Sequence, residues 1–448
     1  MTSPVVHPHG TRASDPTAGA RAPVPTSELL PLLVQGASLL LANAETTERT
    51  VAAGEGLAQA LGAQAMIMPR WDELIVQVEP RGGAPSEVAH VAPVGIDMTK
   101  VIEAERVIDD VSAGRLSPRD AQSEFARIAA LPPVSLGRFV LAAAVAGCAL
   151  AVIHGAERPS TFPLIALSAG AGALLRRGLS YVSPHVLLQP FGAALLAGLI
   201  GGLARHEQLG SAQMLIALCP CMVLVPGPHF LNGFIDLARA RVAMGCARIA
   251  FALLVSVAIA SGLLLGLWIS GGELPIAAPS RPVPLPLDVI AAGLAVGAYA
   301  SLYSMPWRYI PIPMVIGVVA HTIRWSVLAH GASAYAAAFL GCLFVGVVAS
   351  PVALRLRLPI AAMAFAAVVS LMPGVFLFRM AAGLATMASL GGDAAPGLAD
   401  AVLVNAATAV LIILAMGSGL VLPTLAAERP RTASSGTDGA RRERVHHV

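Results

Sequence analysis

The chain has 448 residues, of which 56% are hydrophobic and 12% charged, with a formal net charge of +3. So few charges cannot cover the surface of a soluble protein of this length, so most of the chain must face lipid or other apolar helices. A soluble enzyme, a disordered protein and a nucleic-acid-binding module are thereby excluded. The charges fall into three blocks: residues 1–137 hold 10 basic and 16 acidic groups, 138–427 hold 14 and 7, and 428–448 hold 5 and 3. This division predicts a soluble acidic part, a long membrane part and a short basic tail.

Residues 1–26 are rich in Pro, Thr, Ala and His and lack the apolar run of a signal peptide. They read as a disordered tail, and the part that follows is expected to stay in the cytoplasm. A helical pattern starts at Ser27, which could cap it, and runs through Leu29–Leu41 and the polar patch Glu45-Thr46-Thr47-Glu48-Arg49 to Leu61, with Gly62 as its stop. Strands are expected near Ala65–Met68, Leu74–Glu79 and Val88–Val94. Helices follow near Met98–Ser112 and Pro118–Ala130, the second capped by Ser117. Residues 27–135 thus form a small α+β domain. Within it Glu45 and Arg49, four apart, are expected to face each other across one turn. Glu45, Glu48 and Arg49 make either a polar site or, more plainly, a solvated face with one ion pair.

From Leu136 onward apolar stretches near 20 residues recur at about 138–154, 161–177, 184–204, 211–231, 243–269, 287–304, 309–325, 333–353, 358–378 and 401–424, each long enough to cross a bilayer. The second and seventh are short and bounded by arginine. With the soluble domain inside, the inner loops hold Arg176, Arg177, Arg239, Arg241, Arg308, Arg355 and Arg357, and the outer loops hold Arg158, Arg205, Arg281, Arg324 and Arg379. Arg138, Arg429 and Arg431 join the inner side. Both termini are then cytoplasmic.

The two halves echo each other. Leu224-Val225-Pro226-Gly227 in the fourth span matches Leu371-Met372-Pro373-Gly374 in the ninth. Ala258–Leu265 in the fifth matches Ala415–Leu422 in the tenth. Five spans per half is odd, so similar halves must be inverted: repeats over 136–270 and 271–427, followed by a disordered basic tail at 428–448. The expected architecture is an α-helical integral membrane protein of about ten transmembrane helices in two inverted five-helix repeats, preceded by a small α+β cytoplasmic domain.

Proline followed by glycine breaks a helix, and freed backbone groups survive in a membrane only in a cavity or against buried partners. Pro226, Gly227, Pro373 and Gly374 are therefore candidates for a substrate site; a bare kink is the alternative. His229, Asn232 and Asp236 follow the first break and Arg379 the second. Arg248 lies in the fifth span and is expected either to pair with Asp236 or to snorkel. His229 either carries a proton or is a hydrogen-bonded core residue. Asn405 in the tenth span is a further polar candidate, more usual as a helix–helix hydrogen bond. The five cysteines lie in apolar spans without metal spacing, and there is no Gly-x4-Gly-Lys loop, so no metal, cofactor or direct ATP use is expected.

These residues resemble the threonine/serine exporter family over about Glu28 to Leu425. The resemblance rests on Leu33–Leu41 with Gly36, Glu45–Arg49, Gly54 to Gly62, Gly114–Ala121, and above all Leu224–Gly227 with Leu231, Asn232, Asp236, Gly245 and Arg248, then Pro373-Gly374. It implies a multi-pass inner-membrane exporter of small hydroxy amino acids with protons as the coupling ion. Its partners would be the amino-acid substrate and the lipid bilayer; a homo-oligomer stays open. Competing readings are a membrane-tethered hydrolase, which lacks a nucleophile–base set in this sequence, and a membrane sensor or assembly protein.

Overall fold

The structure, a computed structural model, describes residues 24–79, 85–204, 213–274, 283–356, 358–391 and 396–427. The tails expected at 1–26 (apart from its last three residues) and 428–448 lie outside the described residues, as do Arg205, Arg281 and Arg357.

The amino-terminal unit comprises α1 (Thr26–Ala42), α2 (Thr47–Ala60), the strands β1 (Gln64–Arg70), β2 (Asp72–Glu79) and β3 (Ser86–Val91), α3 (Met98–Ser112) and α4 (Pro118–Ala129). The strands form an antiparallel meander in the order β1-β2-β3, with Ile67 opposite Val76. Ser117 Oγ accepts from the Asp120 N–H at 3.2 Å and starts α4, and Gly62 at φ +79° ends α2. One expectation fails. The pattern from Ser27 to Leu61 is two helices, not one. Thr26 begins the first after Pro25, without a side-chain cap. Ala44 takes a left-handed φ of 70°, and Thr46 Oγ1 caps α2 by accepting from the Arg49 N–H at 3.3 Å. The 3.6-residue apolar period carries across this corner, so periodicity alone cannot reveal it.

The membrane part comprises α5 (Leu136–Ile153), α6 (Thr161–Val182), α7 (Leu188–Leu203), α8 (Gln213–Leu224), α9 (Gly227–Ala238), α10 (Val242–Ile269), α11 (Leu285–Leu302), α12 (Pro311–Ala329), α13 (Ala334–Leu356), α14 (Ile360–Val368), α15 (Gly374–Leu390) and α16 (Leu398–Ala427). Among the described residues six helices are long and apolar enough to cross a membrane, or up to eight if α8–α9 and α14–α15 each count as one bent span. The expected ten-span count is not reached by this measure: α6 is outside it, and α7, with 16 residues, is short. The seventh stretch, bounded by arginine, is a 23-residue helical candidate over Trp307–Ala329.

Both Pro-Gly pairs break their helices. The axis turns by 49° between Met214–Leu224 and Gly227–Ala238, and by 52° between Ile360–Leu371 and Gly374–Leu390. The breaks pack on each other reciprocally. A Cβ on Gly227 would meet Met372 at 3.2 Å and Val369 at 3.6 Å; a Cβ on Gly374 would meet Met222 at 2.9 Å and Val225 at 3.5 Å. Each glycine thus rests on the residues two and five positions before the other. Helix pairing is matched as well: α7 packs on α10 as α13 packs on α16, and α5 on α6 as α11 on α12. Glycines allow the tightest of these contacts. Gly198, Gly262 and Gly266 bring α7 and α10 together, and Gly346 and Gly419 do the same for α13 and α16. Large apolar side chains such as Leu254, Val257, Ile290, Val404 and Val410 remain exposed on the outside of this bundle, where hydrocarbon would cover them.

A Cβ on Gly266 would stand 2.2 Å from the Leu195 carbonyl oxygen, where backbone cannot give way easily. Gly266→Ala is therefore expected to destabilise the fold by about 1–3 kcal/mol. Gly56→Ala, on an exposed face of α2 with nothing within 4 Å, is the control and should be neutral or slightly stabilising. Thermal unfolding of the purified proteins in detergent measures both.

Candidate functional site

The corner at Ala44–Glu48 is seated on α9, just past the first break. Asn232 Nδ2 donates to the Ala44 carbonyl at 3.1 Å, and Thr47 Oγ1 donates to Asp236 Oδ2 at 2.9 Å. Glu48 pairs with Arg239. Arg248 Nε lies 3.4 Å from Asp236 Oδ2, so the expected Asp236–Arg248 pair forms. Asn232, Asp236, Arg248 and Thr47 are all buried; the ion pair offsets charges that would be costly alone in an apolar setting, while Asp236 Oδ1 and Arg248 Nη2 have no hydrogen-bond partner among the described residues. Trp71, at the β1–β2 turn, stacks 5.2 Å from Phe251 of α10, and His229 meets the same ring edge-on at 5.0 Å. His229 also hydrogen-bonds the backbone of Val94. The soluble patch and the polar residues of the first break are therefore one site.

The trio Glu45, Glu48 and Arg49 is split: Arg49 is exposed, Glu48 is half-buried and Glu45 is buried. Glu45 is 0% exposed, sits before α2, and accepts from the Thr46 N–H at 2.8 Å. Arg49 turns away and pairs with Glu105 of α3 at 2.6 Å, so the expected Glu45–Arg49 pair across one turn does not form. The physical reason is the helix break: the two residues do not share a helical turn. Burial raises the Glu45 pKa from 4.5 to about 8, aided by the negative charge of Glu105 and opposed by the Thr46 hydrogen bonds.

A cavity of about 480 Å³ opens between this docked unit and the membrane helices. Its wall includes Asp97, Arg176, Arg177, Gln189, Tyr299 and the break residues Val223–Pro226 with His229. Arg176 and Arg177 both lie against the Phe139 ring. Arg177 donates to the Val134 carbonyl at 2.9 Å, whereas Arg176 Nε is buried with no hydrogen-bond partner among the described residues. Tyr299 donates to the Met222 carbonyl at 3.2 Å and braces the end of α8. Asp97 caps α3, accepting from the Thr99 and Lys100 N–H groups at 3.0 and 3.2 Å. The first-turn donors of α9 are used locally: Gly227 N–H bonds Val225, His229 N–H bonds Pro226, and Pro228 has none. Side chains, rather than the half-helix amino terminus, are the free donors at this break.

The other expected residues lie elsewhere. Pro373 and Gly374 form the second break. Arg379 Nε, one turn beyond, is buried with no hydrogen-bond partner among the described residues. Asn405 donates to Ala401 of its own helix at 2.7 Å, so it ties no second helix through that bond. Sequence reasoning passed over Asp97 and Tyr299, named Thr47 only as part of the polar patch, and counted Arg176 only as a loop charge. It also passed over Asp288 and His321, whose position inside apolar stretches was a usable signal.

The docked unit meets the same face of the bundle at several loops. Met98 N–H bonds the Tyr303 carbonyl at 2.8 Å, Thr99 bonds Ser304, Arg106 bonds Tyr309, and Ile102 packs on Ala353, Leu358 and Met363. Arg138 bonds the Met305 carbonyl and covers the Trp307 ring at 4.0 Å.

Because the folded state holds a proton on Glu45 that the unfolded chain releases above 4.5, stability is fully present below that value, declines as pH rises, and levels off above about 8. Glu45→Gln is expected to flatten this decline. Melting temperatures from pH 5 to 9 in detergent check it; an unchanged slope contradicts a protonated Glu45.

A family profile described as "Putative threonine/serine exporter" matches residues 31–270. A second, described as "Threonine/Serine exporter, ThrE", matches residues 288–426. A curated relative, the "Probable threonine/serine exporter" of Mycobacterium tuberculosis (strain ATCC 25618 / H37Rv), is 23% identical over 422 residues, covering 91% of this chain and 78% of the relative. No solved structure matches significantly. The first profile alone spans more than half of the chain, the second takes up most of the remainder, and the chain belongs to the threonine/serine exporter family.

Proposed function

We propose that this protein exports small amino acids of the threonine or serine type from the cytoplasm across the inner membrane, driven by protons, through two inverted five-helix repeats that cross the membrane ten times in all. The observation that carries this reading is the cavity at the first break, with Arg176 in its wall, whose Nε is buried without a hydrogen-bond partner among the described residues. An amino-acid zwitterion needs a cation for its carboxylate and an acceptor for its ammonium. Arg176 supplies the first through charge-assisted hydrogen bonds, and Asp97 the second. The reciprocal seating of Gly227 and Gly374 supports the inverted repeats, because a two-fold relation within the membrane plane makes such contacts mutual. The cavity opens on the face that carries the amino-terminal unit, which here serves as a cytoplasmic gate: its Ala44–Glu48 corner must lift from Asn232, Asp236 and Arg239, or move with them, when the first break rearranges.

Arg176→Gln is expected to raise the KM for threonine efflux from inverted vesicles by roughly 10- to 100-fold at similar kcat, the equivalent of a charged hydrogen bond of about 1.5–3 kcal/mol. Pro226→Ala with Gly227→Leu should abolish export at normal membrane abundance, because the straightened helix no longer fits beside Met372. Wild-type efflux in both variants contradicts the assigned site. Reporter fusions after Arg138, Arg177 and Arg241 should read cytoplasmic and a fusion after Arg158 external; an external amino-terminal unit overturns the orientation.

A further inference from the structure

The second half holds a buried pair that the cavity does not use. His321 Nδ1 of α12 lies 2.9 Å from Asp288 Oδ2 of α11, and both side chains are almost wholly buried. With Asp288 ionised, Nδ1 must carry the hydrogen, which leaves Nε2 as a bare lone pair. Nε2 has no hydrogen-bond partner among the described residues, and the imidazole lies within electrostatic reach of the Ser370 backbone, in the last turn before the second break. Ser370 Oγ is buried and likewise has no hydrogen-bond partner among the described residues. The surrounding groups are Arg324 on α12, within electrostatic reach of Asp288; His154 at the end of α5; and Arg379 on α15, within reach of His154. Cys342 of α13 shares the apolar cluster of the adjacent Ala320, and α14 carries no titratable side chain.

The position matters as much as the chemistry. The Leu302 end of α11 touches the amino-terminal unit through Tyr303 and Ser304. Asp288 is 14 residues back along that helix, about 21 Å away at 1.5 Å per residue. The pair therefore sits toward the face opposite the substrate cavity. Ionisable groups inside a membrane are rare and usually mark ion or proton paths.

We propose that Asp288 and His321 form the proton-binding site of this exporter, which rests on the exporter reading above. A proton entering from the outer face adds to His321 Nε2. The imidazolium so formed keeps its Nδ1–H bond to the Asp288 carboxylate and gains an Nε2–H donor for the Ser370 carbonyl. Protonation thus ties α12 to the second break, and release of the same proton to the inner face frees it. The break then rearranges once per proton, with no change in the charge of the zwitterion carried the other way. Asp288 holds Nδ1 and is a positioning residue, and Nε2 is the atom that binds the proton.

The test uses the full-length protein in proteoliposomes with L-threonine. Counterflow needs substrate binding and alternation but no proton gradient; accumulation against a pH gradient needs coupling. His321→Gln and Asp288→Asn are expected to keep counterflow within about twofold of the unmodified protein while gradient-driven accumulation falls roughly tenfold or more. Infrared difference spectra of the unmodified protein between acid and alkaline pH should show an imidazole signature that His321→Gln removes. Gradient-driven accumulation at the unmodified level in both variants overturns the proposal. So does loss of counterflow together with accumulation in folded protein, which would assign the pair to substrate binding. Absence of threonine counterflow in the unmodified protein counts against the exporter reading instead, and the infrared signature then decides the proton site by itself.

Discussion

Everything in the membrane part hangs on the contact between the two helix breaks. Gly227 and Gly374 each lie against the residues two and five positions before the other, at distances that admit little or no side chain. Proline has already removed a backbone donor at each site, and the local turn reuses the remaining donors at the first. Two half-helices that meet end to side in this way are held by shape rather than by hydrogen bonds. A rearrangement at one break must be felt at the other, because packed interiors do not deform smoothly.

This contact sorts the chemistry into two places. On the face of the amino-terminal unit, the first break opens to a cavity walled in part by Arg176, whose Nε has no hydrogen-bond partner among the described residues. Toward the other face, α11 and α12 hold an Asp–His pair with one open nitrogen among the described residues. The matched helix pairs give both halves one scaffold, yet their polar residues differ.

The amino-terminal unit is not an appendage on a linker. Its Ala44 and Met98 belong to the core of the membrane part, and Met244 of α10 belongs to its own. The buried Asp236–Arg248 pair has Thr47 as a third member, so separating the unit would leave polar groups of α9 unsatisfied. Removing one partner of a buried ion pair commonly costs about 3–5 kcal/mol. Motion of the unit and motion of α9 are therefore coupled through these bonds.

The sequence by itself determined the membrane class, the acidic amino-terminal unit, most of its strands and helices and both helix breaks, and it left Arg248 open between pairing with Asp236 and snorkelling. These follow from composition, period and the covalent constraints of proline and glycine, which act locally. It misread Ala44–Arg49, because a corner between two helices of one apolar period leaves that period unbroken and only the backbone φ of Ala44 exposes it. Tertiary structure alone decided that Glu45 is buried, that Arg49 reaches Glu105, that Thr47 meets Asp236 across 189 positions, and that Asp288 meets His321 across 33. Partner choice between distant side chains depends on how helices are placed in space, and local pattern carries no information about that placement.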